Sequence, residues 1–105
     1  MDKPTQVPAN GFYYHYKHNQ AGEINNYAYE VIGLGLHTEE RNYTVLYRPL
    51  YKNTFLAPAN YCARPYDMFI GTVEKDGKII PRFQKILDPD IIGKLRIIKE
   101  GMYDN

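Results

Sequence analysis

A single cysteine, Cys62, stands in 105 residues. No intramolecular disulfide can form from it, and a zinc site built from several thiolates is excluded. A lone thiol is most simply a small buried hydrophobe in a reducing compartment. Charge of either sign is also in short supply as a surplus: thirteen Lys and Arg stand against twelve Asp and Glu, a formal net charge of +1. A protein that tracks a phosphate backbone ordinarily carries a basic excess, because each neutralised phosphate needs a Lys or Arg. That excess is missing globally, which leaves only a local basic patch open. Long apolar runs are absent as well, since nothing approaches the roughly 20 residues that span a bilayer. The opening Met1-Asp2-Lys3-Pro4-Thr5-Gln6 lacks the apolar stretch of a secretory signal. The expectation is a cytoplasmic protein without membrane attachment.

Tyrosine is what the chain has in abundance, at eleven residues. Most sit in short alternating runs beside a charge: Tyr14-His15-Tyr16-Lys17, Tyr29-Glu30 and Tyr47-Arg48-Pro49-Leu50-Tyr51. A tyrosine-rich strand packs a core with its rings and presents hydroxyls at its margins, a chemistry suited to binding planar groups. The length is that of one domain, with enough chain to bury a core without staples.

Residues 1–11 hold two prolines and little to bury, and read as a flexible arm. Phe12 to Lys17 alternates as a first strand, Phe12, Tyr14 and Tyr16 opposite Tyr13, His15 and Lys17. His18 to Asn26 is a polar loop. Tyr27 to His37 is the clearest strand; strict alternation places Tyr27, Tyr29, Val31, Gly33 and Gly35 on one face and Ala28, Glu30, Ile32, Leu34 and Leu36 on the other. Its paired glycines mark a bend or a close approach. Tyr43 to Tyr51 follows, and Pro49, which cannot donate to a ladder, demands an edge or a bend. Asn53 to Tyr61 is irregular, and Cys62 to Pro65 is a short strand. Pro65 to Phe69 reads as one helical turn sending Met68 and Phe69 inward. Asp76-Gly77 is a two-residue hairpin signal between Gly71–Lys75 and Lys78–Phe83.

The end changes character. Asp88 as N-cap, Pro89 at the first helical position and Asp90 in the first turn start a helix. Ile91, Ile92, Leu95 and Ile98 recur at helical spacing, and Gly101 reads as its stop. The stripe either covers the chain's own sheet, the favoured reading, or docks on a neighbour, so the chain is expected to be a monomer or a weak homodimer.

The candidate ligand-binding set is Tyr14, His15, Tyr16, Glu30, Tyr47, Arg48, Tyr51 and Arg64. Arg48 offers a planar fork of donors for carboxylate or phosphate, with Tyr47 and Tyr51 beside it as stacking rings. The bland alternative makes Arg48 a cross-strand partner of Glu30. Arg64 and Arg82 each adjoin a proline and could join Arg48 around one concave surface. His15 or His37 with Glu30 or Glu39 could act as an acid–base or metal pair, although a histidine at a sheet end is the commoner role. No catalytic residue, metal ligand or cofactor is assigned. Cys62 lacks any sequence sign of the basic neighbour a nucleophile needs. Gly33-x-Gly35 lacks the third glycine and following helix of a phosphate-cradling loop.

The ordered series Tyr14-x-Tyr-Lys17, Tyr29-Glu-Val31, His37-Thr-Glu39, Val45-Leu-Tyr-Arg-Pro-Leu-Tyr51, Ala63-Arg-Pro65, Met68-Phe69 and Pro81-Arg-Phe83 resembles the domain-of-unknown-function 1653 family, a small bacterial family, over about residues 12–84. The resemblance implies a small SH3-like β-barrel and no activity. The 18–26 loop is longer than the usual turn there, and residues 85–105 extend past the family's end. The combined expectation is a mainly β protein: an SH3-like barrel of five or six strands over 12–84, an arm over 1–11 and a helical extension over 85–105 packed on the barrel. Its expected role is a non-enzymatic binding module whose Tyr/Arg-lined face takes a peptide, a nucleic acid or a small anionic ligand. The alternatives are a small enzyme with a His/Glu acid–base site and a structural or assembly protein.

Overall fold

The computed structural model describes residues 4–52 and 61–103. The irregular segment expected from Asn53 onward therefore lies, up to residue 60, outside the described residues. Nine elements follow in order: β1 (Gly11–His15), β2 (Ala28–His37), β3 (Asn42–Pro49), β4 (Cys62–Pro65), α1 (Tyr66–Ile70), β5 (Thr72–Lys75), β6 (Lys78–Pro81), β7 (Phe83–Lys85) and α2 (Pro89–Tyr103). The main sheet is antiparallel with strand order β4-β3-β2-β1-β7, and β5 and β6 form a separate hairpin. The protein is mainly β with a C-terminal helix, as the alternation and the helix signals imply. The strands number seven among the described residues, and the five-stranded sheet stays open, with short β4 and β7 as its edges.

Both faces of this sheet are covered. On one, Tyr13, Tyr29, Val31, Val45, Tyr47, Phe69 and Phe83 form a core rich in aromatic rings. On the other, Phe12, Ala28, Leu50, Ile86 and Leu95 are buried, with Ile91, Ile92 and Ile98 packed against them. The two-residue period of β1 accounts for this division, since Phe12 and Tyr13 must point to opposite faces. The C-terminal stripe thus covers the chain's own sheet, with Leu95 fully buried.

Strict alternation fails in β2. The β2–β3 register shifts between Val31 and Gly33, so one extra residue enters the strand. A bulge of this kind exchanges the faces beyond it. Leu34, which alternation sets opposite Val31, therefore packs against the Val31 core. Pro49 obeys the edge rule in a local sense: β4 pairs β3 only from Thr44 to Tyr47, so β3 has lost that neighbour by Pro49.

The helix starts as its residues dictate. Asp88 Oδ1 accepts from the backbone N–H of Asp90 at 2.9 Å and, more weakly, from that of Ile91 at 3.5 Å. Gly101 does not stop it; the helix continues to Tyr103, whose hydroxyl donates to Pro49 O at 2.6 Å. That tertiary contact holds the last turn in place of a glycine cap. The Asp76-Gly77 turn forms as its residues require, both taking positive φ (53° and 77°) in a two-residue hairpin loop. In α1 Phe69 is buried, but Met68 faces outward, because a single helical turn can present only one narrow side to the core.

Candidate functional site

The sheet divides the sequence's candidate residues between its two faces. Tyr14, Glu30 and Arg48 lie on the α2 side. Tyr14 donates to Ile24 O at 2.5 Å and stacks on His18 with ring centroids 3.5 Å apart, so it braces the 18–26 loop. Glu30 and Arg48 are cross-strand partners in the β2–β3 register. Arg48 Nε donates to Glu30 Oε1 at 2.9 Å, and Lys99 Nζ reaches Glu30 Oε2 at 2.8 Å. The rings against the Arg48 guanidinium are Tyr103 and Tyr61, at 4.0 and 5.6 Å, rather than Tyr47 and Tyr51. Arg48 is thus a structural clamp between β2, β3 and α2. Tyr47 points the other way, into the aromatic core beside Tyr29, Phe69 and Phe83.

A different group converges on the aromatic face. β1 pairs with β7 so that His15 opposes Phe83, and their rings meet edge-on at 5.0 Å. β4 pairs with β3 so that Arg64 opposes Val45, a member of this core, and the Arg64 guanidinium lies 5.2 Å from the Phe83 ring centroid. Tyr27 and Tyr16 flank His15 at 5.7 and 4.4 Å, and the Tyr51 hydroxyl is hydrogen-bonded to that of Tyr29. Arg82, in the bend between β6 and β7, is anchored by its backbone: its N–H donates to Gly71 O and its carbonyl accepts from Tyr16 N. Arg64 and Arg82 both bear on His15, whereas Arg48 pairs with Glu30 on the α2 side.

Electrostatics single out this cluster. His15 is buried and its pKa is lowered to about 4, first by burial and then by the positive charges of Arg64, Lys17 and Arg82. The imidazole is therefore neutral at pH 7, and its Nδ1 accepts from Lys17 N at 3.2 Å. Burial pushes the Tyr29 hydroxyl upward, the bond to Tyr51 adding to it while Arg64 pulls the other way. Burial likewise raises the Cys62 thiol, against the pull of Arg64, which leaves it a poor nucleophile near neutrality. Among the described residues the Nε atoms of Arg64 and Arg82 are buried without a hydrogen-bond partner, and neither arginine joins an ion pair. A buried donor on a charged group without a partner is costly, and native structures tend to keep such groups where something else completes them.

No side-chain bond links His15 or His37 to a carboxylate among the described residues. His37 Nδ1 accepts the Glu40 N–H at 3.1 Å in the exposed β2–β3 turn, and His15 lies across the sheet from Glu30. No group of three or more His, Cys, Asp or Glu residues is placed to hold a metal among the described residues.

A family model described as "Protein of unknown function (DUF1653)" matches residues 11–85. The chain belongs to this family. A crystal structure of a DUF1653 protein from Bordetella bronchiseptica superposes with a TM-score of 0.58 at 25% sequence identity, covering 77% of this chain and 92% of that one. No curated protein matches the chain. His15, Arg64, Arg82 and their aromatic neighbours all fall within the DUF1653 span. The helix α2, with Lys99 and Tyr103, lies beyond it. What the sequence left unseen was the aromatic wall of Tyr27, Tyr29 and Phe83 around His15. Its signal was an aromatic after Arg82, at Phe83, but only the β1–β7 pairing brings that ring to His15.

Proposed function

We propose that the protein is a non-enzymatic binding module that takes an anionic group on a planar body at the His15–Arg64–Arg82 cluster. The observation that carries this reading is that Arg64 and Arg82 both bear on the neutral His15 beside the Phe83 ring, with no ion-pair partner for either among the described residues. Arginine forks donate two parallel hydrogen bonds to carboxylate or phosphate, and the adjoining tyrosine and phenylalanine faces suit a flat ligand body. His15, held neutral, can add a hydrogen bond without adding charge. Such a site fits a small anionic ligand or the charged end of a peptide better than a nucleic-acid strand, which needs a continuous basic track that the balanced charge does not supply. The acid–base enzyme reading is less favoured: His15 lies across the sheet from Glu30, and no side-chain bond joins His37 to a carboxylate among the described residues.

A bacterial origin is favoured by the relative from Bordetella bronchiseptica. A cytoplasmic setting is favoured by the lone thiol; no helix among the described residues is long and apolar enough to cross a membrane.

Residue-resolved NMR titration with benzoate tests the site. The expected result is saturable shifts at His15, Arg64 and Phe83, weakened about tenfold or more in Arg64→Gln, the change expected for losing a hydrogen bond to a charged group. Benzoate, acetate and phosphate all leaving these resonances unmoved at millimolar concentration removes the proposal.

A further inference from the structure

A second cationic recess lies on the opposite side of the sheet. It is a cleft of about 300 Å³ between the start of β1, the end of β7 and α2. Its walls carry Lys85, Arg96 and Lys99 against one carboxylate, Glu30. Both oxygens of that carboxylate are engaged, one by Arg48 and one by Lys99. Among the described residues Lys85 and Arg96 join no ion pair, so the recess holds an uncompensated excess of two positive charges. Buried Phe12 and Ile86, with half-buried Ile92, give it an apolar floor beneath those charges.

The lip is built for a close approach. Gly11 has φ +146°, a conformation that L side chains rarely adopt, and a Cβ there would meet Lys85 Cε at 3.3 Å. The lysine stem thus lies directly against the backbone at the mouth. A backbone conformation that favours glycine therefore borders the charged recess.

We infer that this cleft binds a phosphate monoester carried on an apolar body. A monoester dianion carries about two charges near neutral pH, which matches the two uncompensated cations. The volume is at the lower bound for a small-molecule site, and the apolar lining accommodates the ester group. Arg96 supplies a fork for two phosphate oxygens, Lys85 a point charge at the mouth, and Asn10 a side-chain amide. Ile92, Arg96 and Lys99 of this site stand on α2, outside the span matched by the family, so the site depends on this chain's helical extension.

The test is residue-resolved NMR titration of the full chain with phenyl phosphate, beside inorganic phosphate and benzoate. Shifts at Gly11, Lys85 and Arg96 are expected, in the order phenyl phosphate over inorganic phosphate over benzoate, with loss of about tenfold or more in affinity in Lys85→Gln/Arg96→Gln. Both substitutions are at exposed positions, and far-UV circular dichroism checks that the fold is kept. Arg64→Gln should leave these shifts unaltered, which separates this cleft from the site on the aromatic face. Phenyl phosphate shifts confined to the Arg64 surface, or shifts at Gly11 that survive the double substitution, overturn the inference. Absence of any shift at Gly11 up to millimolar ligand overturns it equally.

Discussion

Arg48 lies directly across the β2–β3 ladder from Glu30 and donates to it at 2.9 Å, with both side chains mostly shielded. The same carboxylate draws in Lys99 from α2 at 2.8 Å, so one acidic residue ties two strands to the terminal helix. Breaking a shielded pair from one side leaves the other charge without its partner, which costs more than the pair contributes.

Glu30→Gln is therefore expected to lower stability by about 2 kcal/mol, the cost of removing a charged hydrogen-bond partner at a mostly buried position. Lys99→Met, which removes the more exposed cation and keeps its apolar stem, should cost no more than about 1 kcal/mol. Urea unfolding midpoints compare the two. Equal losses would show that Glu30 is not the hub of the network.

The helix makes the second prediction. Leu95 is fully buried against Phe12, Ala28, Leu50 and Ile86. Leu95→Ala should cost about 2–5 kcal/mol, the range for a leucine truncated inside a packed core. Ile97→Ala, on the same helix but largely exposed, should lie within about 0.5 kcal/mol of the parent. A small Leu95 effect in thermal melts would mean that α2 contributes little to the fold.

Local chemistry is legible in the sequence itself. The Asp76-Gly77 turn, the Asp88-Pro89 helix start and the Ile91–Ile98 stripe all declare themselves, because each depends on a few neighbouring residues. Adjacent positions also carry their own separation: in an alternating strand Tyr47 and Arg48 must face opposite ways, so the pleat itself excludes a joint site of the two. The β2 bulge is not legible, since an extra residue reveals itself only through the partner strand. Nor is the meeting of His15, Arg64 and Arg82, which needs the β1–β7 and β3–β4 pairings together.

Acid should expose His15. Its folded pKa of about 4 lies below the ordinary value of 6.5. Between those values the unfolded chain takes up a proton that the folded chain refuses, so stability falls as pH drops from 6.5 toward 4 and is fully present above that window. The loss should reach about 2 kcal/mol once solvent screening is allowed for. In His15→Phe that part of the pH dependence should vanish, leaving a flatter curve in urea unfolding followed from about pH 7 to about pH 4. An unchanged slope would place the proton uptake on other groups.

The last prediction sets binding against stability at the aromatic face. Arg64 has a buried Nε without a partner among the described residues, and its charge helps hold His15 in the neutral form. Methionine in its place keeps a flexible apolar stem over Phe83 but removes both the orphan donor and the charge. Arg64→Met should therefore leave stability unchanged or raise it by up to about 1 kcal/mol, a melting shift of roughly 4–8 °C in a domain of this size. The same change should abolish the benzoate-dependent shifts at His15 and Phe83. A residue that served only the fold would behave in the opposite way, with its replacement lowering the melting temperature and leaving ligand response intact. Scanning calorimetry beside the NMR titration distinguishes the two, because a binding residue left unsatisfied in the empty protein costs stability until its ligand arrives.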